Sequence, residues 1–202
     1  MADTLLRENH SPPGRTKIAD ALRQLLLEKE FSAITTSEIA KTAGVTEPLI
    51  YKYFKDKRGL LYQVLREYLE QYDEQVQQDL KGIKGALNKL RKLIWSHTNV
   101  YATNRVFARI LLTEVRSFSD YYTSETYQLV RKYSNILMDI IEEGIREGEI
   151  RDDLSPQIMR QVILGSIENV CLTSVVFNRD ISSDDLTEEL CEFVFKGIAL
   201  NA

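Results

Sequence analysis

Apolar residues recur along this chain at intervals of three and four, and no stretch alternates apolar with polar residues over the length of a strand. The pattern predicts helix after helix, an all-α protein. Leu61, Val64, Leu65, Tyr68, Leu69, Tyr72 and Val76 form one stripe, which predicts a long helix over 57–80. Gly82 and Gly85 break it. Further helices are expected over 86–103, 105–117, 121–147, 156–178 and 184–200, with Gly148 as a stop and Pro156 as a restart.

The last two of these helices are apolar over most of their circumference. Ile158, Met159, Val162, Ile163, Ile167, Val170, Cys171, Val175, Val176 and Phe177 crowd one, and Leu186, Leu190, Phe193, Val194, Ile198 and Leu200 the other. A helix with two apolar faces needs cover on both sides. One side is the domain core; the other is expected to meet a second copy in a four-helix contact about a two-fold axis, giving a homodimer.

Toward the N-terminus the pattern tightens into two short helices. Thr35-x-x-Glu38 reads as a capping box, Ile39, Ala40 and Ala43 offer a small apolar face, and Gly44 supplies a left-handed stop. Thr46 then reads as a second N-cap and Pro48 sits in the new first turn, so the next helix runs over 47–54. This is the form of a helix-turn-helix. Ile50 and Phe54, four apart, bury, which turns Glu47, Pro48, Tyr51 and Lys52 outward. The N-terminal residues of that face would reach base edges in the major groove, while Tyr51, Lys52, Tyr53 and Lys57 suit phosphate oxygens.

Charge agrees with that placement. The chain carries 26 Lys+Arg against 30 Asp+Glu, a formal net of −4, and no polybasic tail. Residues 1–60 nevertheless hold ten Lys+Arg and eight Asp+Glu, and Lys52, Lys55, Lys57 and Arg58 fall together, as phosphate neutralisation requires. Residues 1–13 read as a flexible arm, with Arg15 and Lys17 able to extend phosphate contact. No apolar run approaches the roughly 20 residues of a membrane span, and no signal peptide is legible, so a cytoplasmic protein is expected. Cys171 and Cys191 read as buried thiols.

From about Ile18 to Leu65 these residues resemble the TetR family of bacterial transcriptional regulators. The resemblance rests on Ile18-Ala19-Asp20-Ala21-Leu22, Phe31, Thr35-Thr36, Ile39-Ala40, Ala43-Gly44-Val45, Tyr51-x-Tyr53-Phe54, Lys57 and Leu60-Leu61. It implies a flexible arm at 1–13, a DNA-binding domain at 14–56 and a helical ligand-binding and dimerisation domain at 57–202. It assigns contacts with double-stranded operator DNA to Thr36, Ser37, Thr46, Glu47, Pro48, Leu49, Tyr51, Lys52, Tyr53 and Lys57. Leu49 stands where many relatives carry a small polar residue, and contact with a thymine methyl is the physical substitute.

The middle helices are expected to enclose a small-molecule effector. Trp95, Tyr101, Phe107, Tyr121 and Tyr122 supply walls, and Asn99, Arg109, Thr113, Glu114, Arg116, Glu168 and Asn169 supply polar groups. Glu168 interrupts an apolar stretch where an unpaired carboxylate is costly, so it caps a pocket or pairs across the dimer. Leu111-Leu112-x-Glu114-x-Arg116-Ser117, residues 136–150 and residues 159–168 are similar to TetR-type repressors of fatty-acid degradation, which implies a long-chain acyl-CoA that releases DNA. A flat aromatic or drug-like effector, as for a regulator of efflux, fits the same residues.

An enzyme finds little support: there is no Gly-rich phosphate loop, the two histidines, His10 and His97, lie in unrelated contexts, and no ligand cluster has metal spacing. Nothing asks for a cofactor. A helical protein-binding adaptor is the remaining alternative, against which the DNA motif argues.

Overall fold

The computed structural model describes residues 12–200, so most of the expected arm, with His10, lies outside the described residues. Among these the protein is all-α, with helices α1 Pro13–Glu28, α2 Thr36–Ala43, α3 Glu47–Phe54, α4 Lys57–Asp79, α5 Ala86–Thr103, α6 Arg105–Arg109, α7 Glu125–Glu147, α8 Pro156–Val176 and α9 Ser183–Ile198. The chain divides into two compact units between Val64 and Leu65, within α4. That helix begins in the first unit and continues in the second.

In the first unit, Ile18, Leu22 and Leu26 of α1, Ile39 of α2, Ile50 and Phe54 of α3 and Leu60, Leu61 and Val64 of α4 make the core, together with Phe31 and Ile34. Pro13, the last residue assigned to the arm, is already within the first turn of α1, where a missing N–H leaves no bond unmade. Arg15 does not reach outward for phosphate. It donates to Gln63 Oε1 at 2.8 Å and its guanidinium lies 5.6 Å from the centre of the Phe54 ring. Gly59 lets α4 start close to α3: a Cβ there would stand 2.1 Å from the Phe54 carbonyl oxygen.

In the second unit α5 is the central helix, packed by α9, α7, α8 and α6. Gly144 permits the approach of α7, since a Cβ there would fall 2.6 Å from Ile150 Cδ1 and 2.7 Å from Ala86 Cβ. After the left-handed Gly148, Arg151 N–H donates to the Ile198 carbonyl at 2.9 Å and Leu200 N–H to the Glu149 carbonyl at 3.1 Å, which ties this turn to the end of α9.

Two expected helices differ. The expected 105–117 helix holds α geometry only to Arg109, then widens over Ile110–Glu114 and tightens over Val115–Ser117. Such a widened turn aims side chains that a regular helix would not. The expected 121–147 helix starts at Glu125, because the Ser124 hydroxyl caps it by accepting the Tyr127 N–H at 3.1 Å; Tyr121 and Tyr122 belong to the tight turn before it.

Candidate DNA-contact face and ligand cavities

The helix-turn-helix closes as the side chains require. Thr35 Oγ1 accepts the Glu38 N–H at 3.1 Å, Gly44 takes φ +64° at the end of α2, and α3 follows after three residues. Ile50 and Phe54 are buried, and Pro48, Tyr51 and Lys52 are exposed. The two helices share one polar cluster: Thr36 Oγ1 donates to Glu47 Oε1 and stands 3.4 Å from the Tyr51 hydroxyl. This fixes the carboxylate of Glu47 before any partner arrives. Glu38 is also held: its carboxyl lies below the usual range because of its bond to Lys29.

Within the second unit two cavities flank a buried polar core. One, of about 300 Å³, lies among α4, α5 and α6 and is walled by Tyr68, Tyr72, Trp95 and Phe107 with Asn99 and Ser96. The other, of about 320 Å³, lies among α7, α8 and residues 111–122, with Tyr121, Tyr122 and Tyr127 as walls and Arg116, Arg131 and Arg160 as cations. Arg116 is bound to Glu168 at 2.7 Å and donates to the Leu111 carbonyl at 3.0 Å. Burial is the largest single influence and opposes the guanidinium charge, but the hydrogen bond and charge of Glu168, with Tyr101 and Tyr121, together raise the Arg116 pKa. Among the described residues no group of His, Cys, Asp and Glu is arranged to hold a metal ion.

Comparison with known proteins decides the family. The family model described as "Bacterial regulatory proteins, tetR family" matches residues 18–64, and "Tetracyclin repressor-like, C-terminal domain" matches residues 84–172. The fatty acid metabolism regulator protein of Bacillus subtilis (strain 168) is 30% identical over 186 residues, which span 92% of this chain and 96% of the relative. The chain belongs to the TetR family of bacterial transcriptional regulators. It is a ligand-responsive DNA-binding regulator. The crystal structure of the transcriptional regulator FadR from Bacillus subtilis in complex with stearoyl-CoA superposes with a TM-score of 0.82 at 30% identity, covering 91% of this chain and 98% of that one. The fatty acid degradation regulator FadR from Bacillus halodurans, at 23% identity, TM-score 0.79 and coverage of 90% and 98%, agrees in fold.

For this TetR-family chain the expected DNA residues divide into three groups. Thr36, Glu47 and Tyr51 come together as one cluster, with Ser37, Thr46, Pro48 and Lys52 exposed beside it. Thr46 makes no side-chain capping bond, contrary to expectation, so its hydroxyl is not committed to the helix start. Leu49 and Tyr53 turn back on α1: a Cβ at Gly14 would stand 3.1 Å from Leu49 Cδ2 and 3.4 Å from Tyr53 Cε2. Lys57 differs most from the phosphate contact expected of it. Its ammonium donates to the Phe31 and Ile34 carbonyls at 2.9 and 2.7 Å and lies 4.3 Å from the Phe31 ring centre, which closes the turn before α2.

The expected ligand residues do not form one site. Trp95, Asn99 and Phe107 line the first cavity, and Arg116, Tyr121, Tyr122 and Glu168 the second. Arg109 ends α6, Thr113 and Glu114 lie on the irregular turn after it, and all three line neither, the Thr113 hydroxyl being spent on the Arg109 carbonyl at 2.7 Å; Asn169 is exposed on α8. Tyr101 is fully buried and also lines neither cavity; its hydroxyl is 2.9 Å from His97 Nε2. Glu168, expected to cap a pocket or to pair across the dimer, lines the second cavity and pairs with Arg116 of its own chain. Sequence reading missed Arg131 and Arg160, which face the second cavity, and it missed His97, Tyr72 and Tyr133 as a group. The four-residue spacing of His97 and Tyr101 makes these two neighbours on α5 and carries no sign of Tyr72 or Tyr133.

Proposed function

We propose that this regulator is a repressor that grips operator DNA as a homodimer in the cytoplasm and releases it when long-chain acyl-CoA enters the second unit. The observation that carries the effector is the second cavity, where three arginines stand beside apolar walls from Leu111, Val130, Leu164 and three tyrosines. Guanidinium groups suit the phosphates of a CoA, and apolar walls suit an acyl chain. The similarity to a regulator of fatty acid metabolism, and to a FadR solved with stearoyl-CoA, supports the same reading.

The dimer rests on a face of α8 and α9 that the subunit itself leaves uncovered. Met159, Ile163, Ile167, Cys171 and Val175 of α8 are buried, whereas Ile158, Val162, Val176 and Phe177 are exposed, as is Phe193 of α9 at 73%. A contiguous apolar face of this kind marks an interface. Two subunits then present two α3 helices to half-sites roughly 34 Å apart. On each α3, Thr46, Glu47 and Pro48 are assigned to base edges, and Tyr51 and Lys52 to phosphates.

A second reading has its own observation. The first cavity is walled by four aromatic rings, from Tyr68, Tyr72, Trp95 and Phe107, which suits a flat aromatic effector.

Mobility shifts on the DNA upstream of the protein's own coding region, with stearoyl-CoA, free CoA, stearate and a planar aromatic drug, separate the readings. Stearoyl-CoA should release the DNA and free CoA should not. Reciprocity sharpens the result, because operator must weaken effector binding by the factor by which effector weakens operator binding, and a hundredfold factor is about 2.7 kcal/mol. Equal affinity for stearoyl-CoA with and without saturating operator removes that compound as the effector.

A further inference from the structure

The second unit contains a buried polar chain that runs across α4, α5 and α7. Tyr72 of α4 donates its O–H to the Tyr133 hydroxyl of α7 at 3.1 Å, the Tyr133 hydroxyl lies 3.0 Å from His97 Nδ1 of α5, and His97 Nε2 lies 2.9 Å from the Tyr101 hydroxyl. All four side chains are buried. Their rings also pack together, with centroids 5.1 Å apart for Tyr72 and Tyr133, 5.3 Å for His97 and Tyr133 and 4.8 Å for His97 and Tyr101.

Every bond in the chain runs in one direction when the imidazole is neutral and protonated on Nε2. Tyr72 donates to Tyr133, Tyr133 donates to Nδ1, and Nε2–H donates to Tyr101. Burial first, and then the nearby Arg116 charge, lower the His97 pKa to about 3, which keeps the imidazole in that state. Buried polar groups so aligned are costly to separate singly, because each break leaves a hydroxyl or ring nitrogen unsatisfied out of reach of water.

The setting gives the chain a consequence. The pairs α5 with α9, α5 with α7 and α7 with α8 pack closely along their lengths, but α4 makes no comparably extensive backbone approach to any helix of this unit. It is held through long side chains. Arg66 reaches Glu125 at 3.0 Å and Asp73 meets Lys132 at 2.7 Å on α7, and Asp79 meets Lys92 at 3.1 Å on α5. The Arg66 and Asp79 pairs are partly solvated, and such pairs contribute little; Asp73 is buried, but its partner Lys132 is exposed. Tyr72 supplies the buried hydrogen-bonded attachment, beside the buried apolar side chains of Leu65, Leu69 and Val76, and it also walls the first cavity.

Resting on the reading of this protein as a ligand-released repressor, we infer that Tyr72, Tyr133 and His97 are positioning residues: their hydrogen-bonded chain latches α4 against α5 and α7 in the ligand-free, DNA-competent state. An occupant that pushes the Tyr72 ring from its place opens the latch, and α4 is the segment that runs on into the DNA-binding unit. Chemical specificity for the effector is a separate matter; the latch defines what the effector must move.

The test uses the full chain without effector. Tyr133→Phe removes one hydroxyl and breaks both inter-helix bonds while keeping the ring, and Tyr72→Phe breaks one. Thr187→Val serves as the control, since the Thr187 hydroxyl makes an equally buried bond, 3.1 Å from Thr98, that joins α5 to α9 and leaves α4 untouched. Operator affinity should fall about tenfold in Tyr133→Phe, with Tyr72→Phe in the same direction and Thr187→Val within about twofold of wild type. Amide hydrogen exchange of residues 65–79, read without DNA, should quicken about tenfold in Tyr133→Phe alone among the first and third variants. Unchanged exchange in Tyr133→Phe overturns the latch, as does an equal effect of Thr187→Val, which would mean general loosening. A wild-type protein that ignores stearoyl-CoA overturns that effector only, and one that binds no DNA overturns the repressor reading; in both cases the exchange result still decides the latch.

Discussion

Acid should destabilise this protein through His97 in a window that follows from its burial. In the folded chain the imidazole is held neutral, with its pKa lowered to about 3 by burial and then by the Arg116 charge. The unfolded chain takes up that proton below about 6.5. Between these values the unfolded state binds more protons than the folded one, so stability rises with pH there and is lost as pH falls. Integrated from pH 7 to pH 5, one such group removes about 2 kcal/mol, and the figure barely changes wherever the folded pKa lies below 4. Carboxylates add their own slope, so the quantity to measure is a difference. Urea denaturation of wild type and His97→Gln, followed by far-UV circular dichroism at pH 7, 6 and 5 and at one protein concentration, isolates it. The variant should be less stable at pH 7, because its glutamine cannot rebuild the chain to Tyr133 and Tyr101, but its stability should fall less toward pH 5 by about 2 kcal/mol. Parallel pH profiles for the two proteins would show that the folded imidazole is already accessible to protons and that the chain drawn through it is wrong.

Four further outcomes are expected. Phe193→Asp places a charge on a side chain that is 73% exposed in the isolated subunit, so it should leave the helical spectrum intact and yield monomers in sedimentation; a dimer of wild-type affinity would move the interface elsewhere. Lys57→Ala should lower stability by about 1–3 kcal/mol, because two carbonyls lose a charged donor, while the salt dependence of operator binding stays as in wild type. Lys52→Ala, by contrast, should reduce the salt slope by about one unit with stability unchanged, as read from binding isotherms at several ionic strengths. Gly144→Ala should cost about 1–3 kcal/mol in thermal unfolding, since the added methyl meets Ala86 Cβ and Ile150 at under 3 Å; an unaltered melting temperature would mean that α5 and α7 are not packed at this point.

The helix-turn-helix was legible in the sequence because its determinants are local. Thr35, Gly44 and Pro48 act on backbone groups within a turn of themselves, and the four-residue spacing of Ile50 and Phe54 suffices to orient α3. The same holds for the long helices, whose stripes of apolar residues carry their own period, and for the uncovered face of α8 and α9, which showed as an excess of apolar residues over what one core can use. Where a side chain's partner is distant in sequence, local pattern lost its grip. Lys57 looked like a phosphate ligand because it follows a basic run, yet the Phe31 and Ile34 carbonyls some 25 residues earlier claim its ammonium. Glu168 looked costly until Arg116 met it across the fold, and of the polar groups expected in one pocket Asn99 lines one cavity, Arg116 and Glu168 line the other, and the remaining four line neither. His97 was unreadable for the same reason. A lone histidine on an apolar helix has no local sign of function, and only the packing of α4, α5 and α7 brings Tyr72 and Tyr133 to it, because hydrogen bonds between helices depend on where each backbone stands to within an ångström.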